Sequence, residues 1–343
     1  MKFSLAVRSR LAWFSRLALA AVLALAAAPL FAEVRAIQGF ALTVADADRA
    51  TAFYEAALGF KKVSERVIFD RNYDYLTGVF GTRVKSVTLS LGGDRIELNQ
   101  FVSPAGQPIP QDSRSNDLWF QHMAIVVSDM DQAYRHLQNF MTQYISDAPQ
   151  TIPESNPPAA GIKAFKFKDP DGHPLELLYF PPGKGRAKWH KAEGRVFLGI
   201  DHSAITVSDT ERSLRFYRDV LGLAVAGGSL NSGATQEHLD NAFGALVRVT
   251  ALRPTSTEGP GLEFLQYLTP GGGRPIPVTA RTNDIAHVHA VLEVDDITAV
   301  AAQLQRRNVA FISPEVVSVN GMGYGKGLMV KDPDGHALLL VQR

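Results

Sequence analysis

The stretch Ile200-Asp-His-Ser-Ala-Ile-Thr-Val-Ser-Asp209 echoes Ile37-Gln-Gly-Phe-Ala-Leu-Thr-Val-Ala-Asp46, 163 residues earlier. The echo continues along the chain. Phe53-Tyr54 and Gly59 recur as Phe216-Tyr217 and Gly222, and Pro108-Ile-Pro recurs as Pro275-Ile-Pro. Arg114-Ser-Asn-Asp117 returns as Arg281-Thr-Asn-Asp284, and Asp169-Pro-Asp-Gly-His173 as Asp332-Pro-Asp-Gly-His336. The chain is therefore a tandem duplication, and each candidate residue can be weighed against its own copy.

Each repeat divides again, giving four modules. Each opens on a short alternating strand that ends in Asp: Gly39 to Asp46, His122 to Asp129, His202 to Asp209 and His289 to Asp296. A helical stretch follows. In module 3, Asp209 or Thr210 can cap a helix carrying Leu214, Tyr217, Val220 and Leu221, with Gly222 as its stop. Extended segments come next, and each module closes on a strand: Ile96-Glu-Leu98, Leu175-Glu-Leu-Leu178, Leu262-Glu-Phe-Leu265 and Ala337-Leu-Leu-Leu-Val341. The pattern is a strand, a helix and then about three strands, four times over. Such a sheet, backed on one face by a helix, leaves its other face open, and two modules can pair their sheets into a cup that buries it.

Residues 1–32 stand apart. Lys2, Arg8, Arg10 and Arg16 precede an Ala/Leu/Val-rich run from Leu17 to Phe31, with the small Ala32 after it. This is the pattern of a secretory signal peptide, and it predicts a periplasmic or secreted protein with no membrane attachment once the leader is cleaved. The predicted organisation is then a first domain over 33–181 (modules 1 and 2), a linker over 182–197, and a second domain over 198–343 (modules 3 and 4). Without the leader the chain has 31 basic and 34 acidic residues, a net charge of about −3. No Lys/Arg block points to nucleic acid. The chain has no cysteine, which excludes disulfides, thiolate metal ligands and a cysteine nucleophile. The oligomeric state is left open, with a monomer allowed.

The strand-start His, the Phe-Tyr…Leu-Gly helix and the Asp-Pro-Asp-Gly-His turn before a Glu-bearing strand together resemble the vicinal oxygen chelate superfamily. That group includes glyoxalase I, extradiol dioxygenases, methylmalonyl-CoA epimerase and bleomycin-resistance proteins. The resemblance covers the chain beyond the leader. It implies an α+β fold of four βαβββ modules in two tandem glyoxalase-like domains forming cup-shaped half-barrels.

The resemblance also implies a metal on the floor of a cup, with one ligand from the first strand and one from the last strand of each paired module. Alternation supports this: His202, Ala204 and Thr206 share one face of their strand, opposite Ser203, Ile205 and Val207. Imidazole and carboxylate ligands suit a divalent ion such as Zn, Ni, Co, Mn or Fe. The eight positions read Gly39 and Glu97 in module 1, His122 and Glu176 in module 2, His202 and Glu263 in module 3, and His289 and Leu339 in module 4. Gly39 and Leu339 cannot ligate. If neighbouring modules pair, each cup lacks one ligand, and the C-terminal cup holds His202, Glu263 and His289. If pairing is crossed, the cup of modules 2 and 3 holds His122, Glu176, His202 and Glu263, a full set. The cup of modules 1 and 4 then carries both losses. Crossed pairing is the expectation here. Gln38 faces away from the Gly39 side unless its strand bulges. His173 and His336 are read as parts of tight turns, and Arg114 to Asp117 as a strand-entry turn.

The resemblance implies three functions. The first is a metal-dependent lyase or isomerase of the glyoxalase or epimerase type, acting on a small oxygen-chelating substrate. The metal would stabilise an enediolate or similar oxyanion, Glu176 would be the base and Glu263 the opposing carboxylate. Export points away from a glutathione-derived substrate, which forms in the cytosol. The second is an extradiol-type ring-cleaving dioxygenase using His202, Glu263 and His289, although such enzymes take their Glu from module 4, where this chain has Leu339. The third is a non-catalytic small-molecule binder of the bleomycin-resistance type.

Overall fold

The computed structural model describes residues 33–255 and 259–343; the predicted leader lies outside them. The elements follow in chain order. Module 1 comprises β1 (Val34–Thr43), α1 (Ala47–Leu58), β2 (Lys61–Ile68), α2 (Arg71–Thr77), β3 (Arg83–Leu91) and β4 (Asp94–Ser103). Module 2 comprises β5 (Gln121–Val127), α3 (Met130–Leu137), β6 (Gln143–Tyr144), β7 (Gln150–Thr151), β8 (Lys163–Lys168) and β9 (Pro174–Tyr179). Module 3 comprises β10 (Phe197–Thr206), α4 (Thr210–Tyr217), β11 (Ala224–Ser232), α5 (Ala234–Asp240), β12 (Leu246–Arg253) and β13 (Gly261–Thr269). Module 4 comprises β14 (Val288–Val294), α6 (Ile297–Arg306), β15 (Val317–Ser318), β16 (Lys326–Lys331) and β17 (Ala337–Gln342).

The repeated Asp at each strand end has a local role. Asp46, Asp129, Asp209 and Asp296 are the N-caps of α1, α3, α4 and α6, accepting hydrogen bonds from backbone N–H groups of the first turn. Gly59 ends α1 in the left-handed region. The regular part of α4 stops at Tyr217. Val220 and Leu221 lie in the turn that leads to Gly222, both bonded back to the Phe216 carbonyl. The short helices α2 and α5 occupy segments that the sequence pattern suggests are loop or strand. Seven residues are too few to show a helical period.

The sheets follow the crossed pairing. One sheet runs β15-β16-β17-β14-β1-β4-β3-β2 and joins modules 4 and 1; the other runs β11-β12-β13-β10-β5-β9-β8-β6 and joins modules 3 and 2. Each is built around an antiparallel seam, β1 with β14 and β10 with β5. The two sheets are thus not the two repeats, because each takes one module from 33–181 and one from 198–343. A continuous core lies between sheets and helices, with Tyr54, Leu58, Phe165, Phe167, Tyr217 and Phe264 fully buried.

The repeat motifs tie modules together within each repeat. Tyr54 of α1 donates to Asp169 at 3.2 Å, and Tyr217 of α4 donates to Asp332 at 3.1 Å. Asp169 also accepts from the N–H groups of Asp171 and His173 and from His173 Nδ1. The Phe-Tyr and Asp-Pro-Asp-Gly-His motifs are therefore two halves of one buried latch. His173 and His336 both belong to it, and the Nε2 of each donates to a backbone carbonyl, Ile285 and Thr206 respectively.

Candidate metal centre

The register across the β10/β5 seam places the site. His202 stands opposite Ala124, and Ala204 opposite His122. The parallel neighbours then add one carboxylate beside each alanine: Glu176 pairs with Ala124, and Glu263 with Ala204. The two histidines thus lie diagonally across the seam, each beside a small residue, with ring centroids 5.8 Å apart. His122 Nε2 is 3.4 Å from Glu176 Oε2, and His202 Nε2 is 3.5 Å from Glu263 Oε1. His122, Glu176 and His202 each present a ligand atom within 4.8 Å of the others, a group that can hold a divalent ion. Among the described residues no other such trio occurs.

The polar atoms themselves test the fit. Both ring nitrogens of His122 and the Nε2 of His202 are buried without a hydrogen-bond partner. A buried polar atom left unpaired costs about 1–3 kcal/mol. The two Nε2 atoms, one beside Glu176 and one beside Glu263, form with these carboxylates a donor set that a divalent cation would satisfy. Burial pushes the His122 imidazole down to about 4, leaving it neutral at physiological pH, the state a ligand needs. Burial opposes charge on His202 as well, yet Glu263 and Asp201 outweigh it and raise the imidazole to about 9. Burial would raise Glu176, but His122 and Lys166 bring it down to about 2. Burial raises Glu263, with Glu176 adding to the effect.

Several supporting residues escape the sequence reading. The shift in register between Ile200 and His202 is a β-bulge, which turns Asp201 toward the His202 ring. Asp201 Oδ2 accepts from His202 Nδ1 at 3.0 Å, so Nε2 is left to face the site. Asp201 is itself held by Trp189 Nε1 at 2.8 Å and by Arg253 Nη2 at 3.1 Å. Trp189 comes from the predicted linker, so that segment helps to hold the site. Lys166, opposite Glu176 on β8, also points into the cup and pairs with Asp240 of α5 at 2.7 Å. Its signal was available: Phe165 and Phe167 face the core, so the alternate face of Lys163-Ala-Phe-Lys-Phe-Lys168 carries Lys166 into the cup.

Among the described residues the other cup holds no such cluster. His289 lies on β14, in the other sheet from His202 and Glu263, so the set His202, Glu263 and His289 is not assembled. His289 Nδ1 instead lies 3.0 Å from His287 Nε2. Glu97 pairs with Arg66 at 3.2 Å. The strand does bulge between Ile37 and Gly39, but Gln38 bonds to Glu293 and Arg343 and offers nothing to Glu97. Tyr73, Leu76, Phe101, Met329 and Leu339 pack this cup with apolar side chains.

A model of the Glyoxalase/Bleomycin resistance protein/Dioxygenase superfamily matches the chain twice, over residues 36–177 and 199–340. The chain belongs to this superfamily. Glyoxalase I from Zea mays shares the architecture, with a TM-score of 0.61 at 16% identity over 90% of this chain and 92% of that one. Two shorter relatives each match about half of the chain. A 2-epi-5-epi-valiolone epimerase from Actinomyces is 28% identical over 151 residues, 43% of this chain and 81% of its own length. A virulence protein of Salmonella typhimurium is 24% identical over 166 residues, 48% of this chain and 99% of its own.

Proposed function

We propose that the cup of modules 2 and 3 is a single divalent-metal centre, and that the protein is an isomerase, epimerase or lyase moving a proton next to a carbonyl of a small oxygen-chelating molecule. One observation carries the reading: His122, Glu176 and His202 converge in one cup with unpaired imidazole nitrogens and Glu263 beside them, whereas in the other cup Glu97 is paired with Arg66 and His289 with His287. The similarity to an epimerase supports the reaction type. The leader supports a periplasmic or secreted location.

His122, Glu176, His202 and Glu263 would hold the ion, which when bound supplies Lewis acidity toward a carbonyl oxygen. Asp201 fixes the ring of His202. Glu176 is almost enclosed, with one oxygen toward His122 and the other 4.0 Å from Lys166. Glu263 differs. Its side chain is 19% exposed, and among the described residues its one ion-pair partner is His202. Glu263 is therefore placed to take a proton from the substrate on a carboxylate oxygen and return it. This reverses the roles that the family resemblance gives the two glutamates.

Metal content per chain tests the proposal, measured by elemental analysis on wild type, His122→Ala and His289→Ala. One ion per chain, lost in His122→Ala and kept in His289→Ala, is expected. No ion in wild type after reconstitution with divalent metals sinks the enzyme reading and leaves a binding protein.

A further inference from the structure

The two cups are built alike, so each acts as a control for the other. The short helices α5 and α2 dock over them through the same bonds. Ser146 Oγ donates to the Leu239 carbonyl and Ser115 Oγ to the Asp240 carbonyl; in the other cup Ser313 Oγ donates to Leu76 and Thr282 Oγ1 to Thr77. The strand positions match too. Lys166 faces Glu176 across β8/β9, as Met329 faces Leu339 across β16/β17. Tyr267 on β13 corresponds to Phe101 on β4, pairing with Val247 and Val84 respectively.

At four matched positions the polar residues fall in one cup, although the other keeps the Arg66–Glu97 pair and the two histidines His287 and His289. The cup with the ligand set has Lys166, Glu176, Asp240 and Tyr267, and the cup without it has Met329, Leu339, Thr77 and Phe101. The fold plainly closes such a cup with no charge at these places. Burying an ion pair is costly unless every group is satisfied, and Lys166 and Asp240 are 2% and 1% exposed. Asp240 is fully engaged: Oδ1 accepts from Lys166 at 2.7 Å, and Oδ2 accepts from Gln236 at 2.6 Å and Tyr267 Oη at 2.7 Å. What the pair reaches beyond itself is Glu176, whose Oε1 lies 4.0 Å from the Lys166 ammonium while Oε2 faces His122.

We propose that Lys166, anchored by Asp240 of α5, is a positioning residue for the metal centre, holding one oxygen of Glu176 so that the other is presented between His122 and His202. The inference rests on the metal reading above. At 4.0 Å the ammonium draws Oε1 by charge rather than through a hydrogen bond, while Asp240 beside it offsets much of its repulsion of a cation. Orienting partners of metal ligands are typically worth ten- to a hundredfold in affinity.

The test measures cobalt(II) binding to the purified protein by calorimetry and by visible spectrum, alongside thermal unfolding. The variants are Lys166→Met, Lys166→Met with Asp240→Thr, and Lys166→Arg. Lys166→Met alone strands Asp240, so the double variant, which puts the other cup's residues at these two positions, is the decisive one. Wild type is expected to bind one cobalt per chain. The double variant is expected to stay folded, with some loss of stability because Tyr267 and Gln236 lose their acceptor, to bind at least tenfold more weakly and to show an altered spectrum. Lys166→Arg is expected to stay within a few fold of wild type. A folded double variant with wild-type affinity and spectrum, or with tighter binding, overturns the role of Lys166 and leaves the metal centre standing. Wild type that binds no cobalt overturns both.

Discussion

Replacing Gly39 tests whether the cup of modules 1 and 4 can ever regain a metal. Gly39 occupies the position that His202 fills in the cup of modules 2 and 3, and its backbone has a φ of 151°, which side chains rarely adopt. A Cβ built there lies 2.3 Å from the Arg95 carbonyl oxygen and 3.1 Å from its carbon, against about 3.4 Å or more for ordinary contact. To admit it, β1 must move about 1 Å from β4, to which it is paired from Phe40/Ile96 to Thr43/Asn99. Forcing that φ on a residue with a side chain costs about 1–3 kcal/mol. One or two strained ladder hydrogen bonds add about 1 kcal/mol each. Gly39→Ala should therefore destabilise the protein by about 3 kcal/mol in urea unfolding, with an unchanged slope. Gly39→His with Leu339→Glu, which restores the nominal ligands, should still give one ion per chain. An alanine variant within about 0.5 kcal/mol of wild type would refute the argument, because the strand would then accommodate a side chain and the missing histidine would be a simple substitution.

Two further outcomes follow from the latch and the bulge. Asp201→Asn should keep one ion per chain but weaken its affinity about ten- to a hundredfold in chelator competition, and unchanged affinity would show that Asp201 does not orient His202. In the buried latch, burial opposes both charges, but the mutual attraction of His173 and Asp169 wins, lowering the carboxyl and raising the imidazole. The stability from Asp169 is present above its unfolded value near 3.8 and lost as pH falls through its lower folded one. That from His173 is present below its unfolded value near 6.5 and lost as pH rises through its higher folded one. The stability gap between wild type and His173→Gln should thus be widest at about pH 4–6.5 and shrink on both sides, whereas a gap flat across that range would contradict the pairing.

Much of this was legible in the sequence because the chain is its own alignment. Four copies of one pattern mark the modules, and the two non-ligating positions, Gly39 and Leu339, point to the crossed pairing that the sheets show. The ligand positions followed from strand alternation. Asp201 was not legible in the same way. It is one residue from His202, so alternation sends it to the opposite face, and only the bulge brings the two together. The same device at Gln38 delivers a side chain to Glu293 and Arg343 instead, so a bulge cannot be read as a gain or loss of function without its neighbours. The helices α2 and α5 were hidden by their length, and with α5 went Asp240 and the reason for a lysine inside a cup.

The division of polar residues also bears on how a duplicated chain keeps one site. Under crossed pairing each cup draws on both repeats, so no single repeat is the functional one. The cup with the candidate metal centre takes the second half of the first repeat and the first half of the second. Gly39 and Leu339 come from opposite ends of the chain, yet β1 and β14 pair across one seam and bring both losses to the same place. With Gly39 and Leu339 in that cup a cation has too few ligands to offset the desolvation of further buried charges, and apolar residues such as Met329 and Leu339 fill the space without that cost. In the other cup the same logic runs in reverse. A buried lysine, aspartate and tyrosine persist there at an energetic cost, which the fold does not require and a metal-holding glutamate would explain.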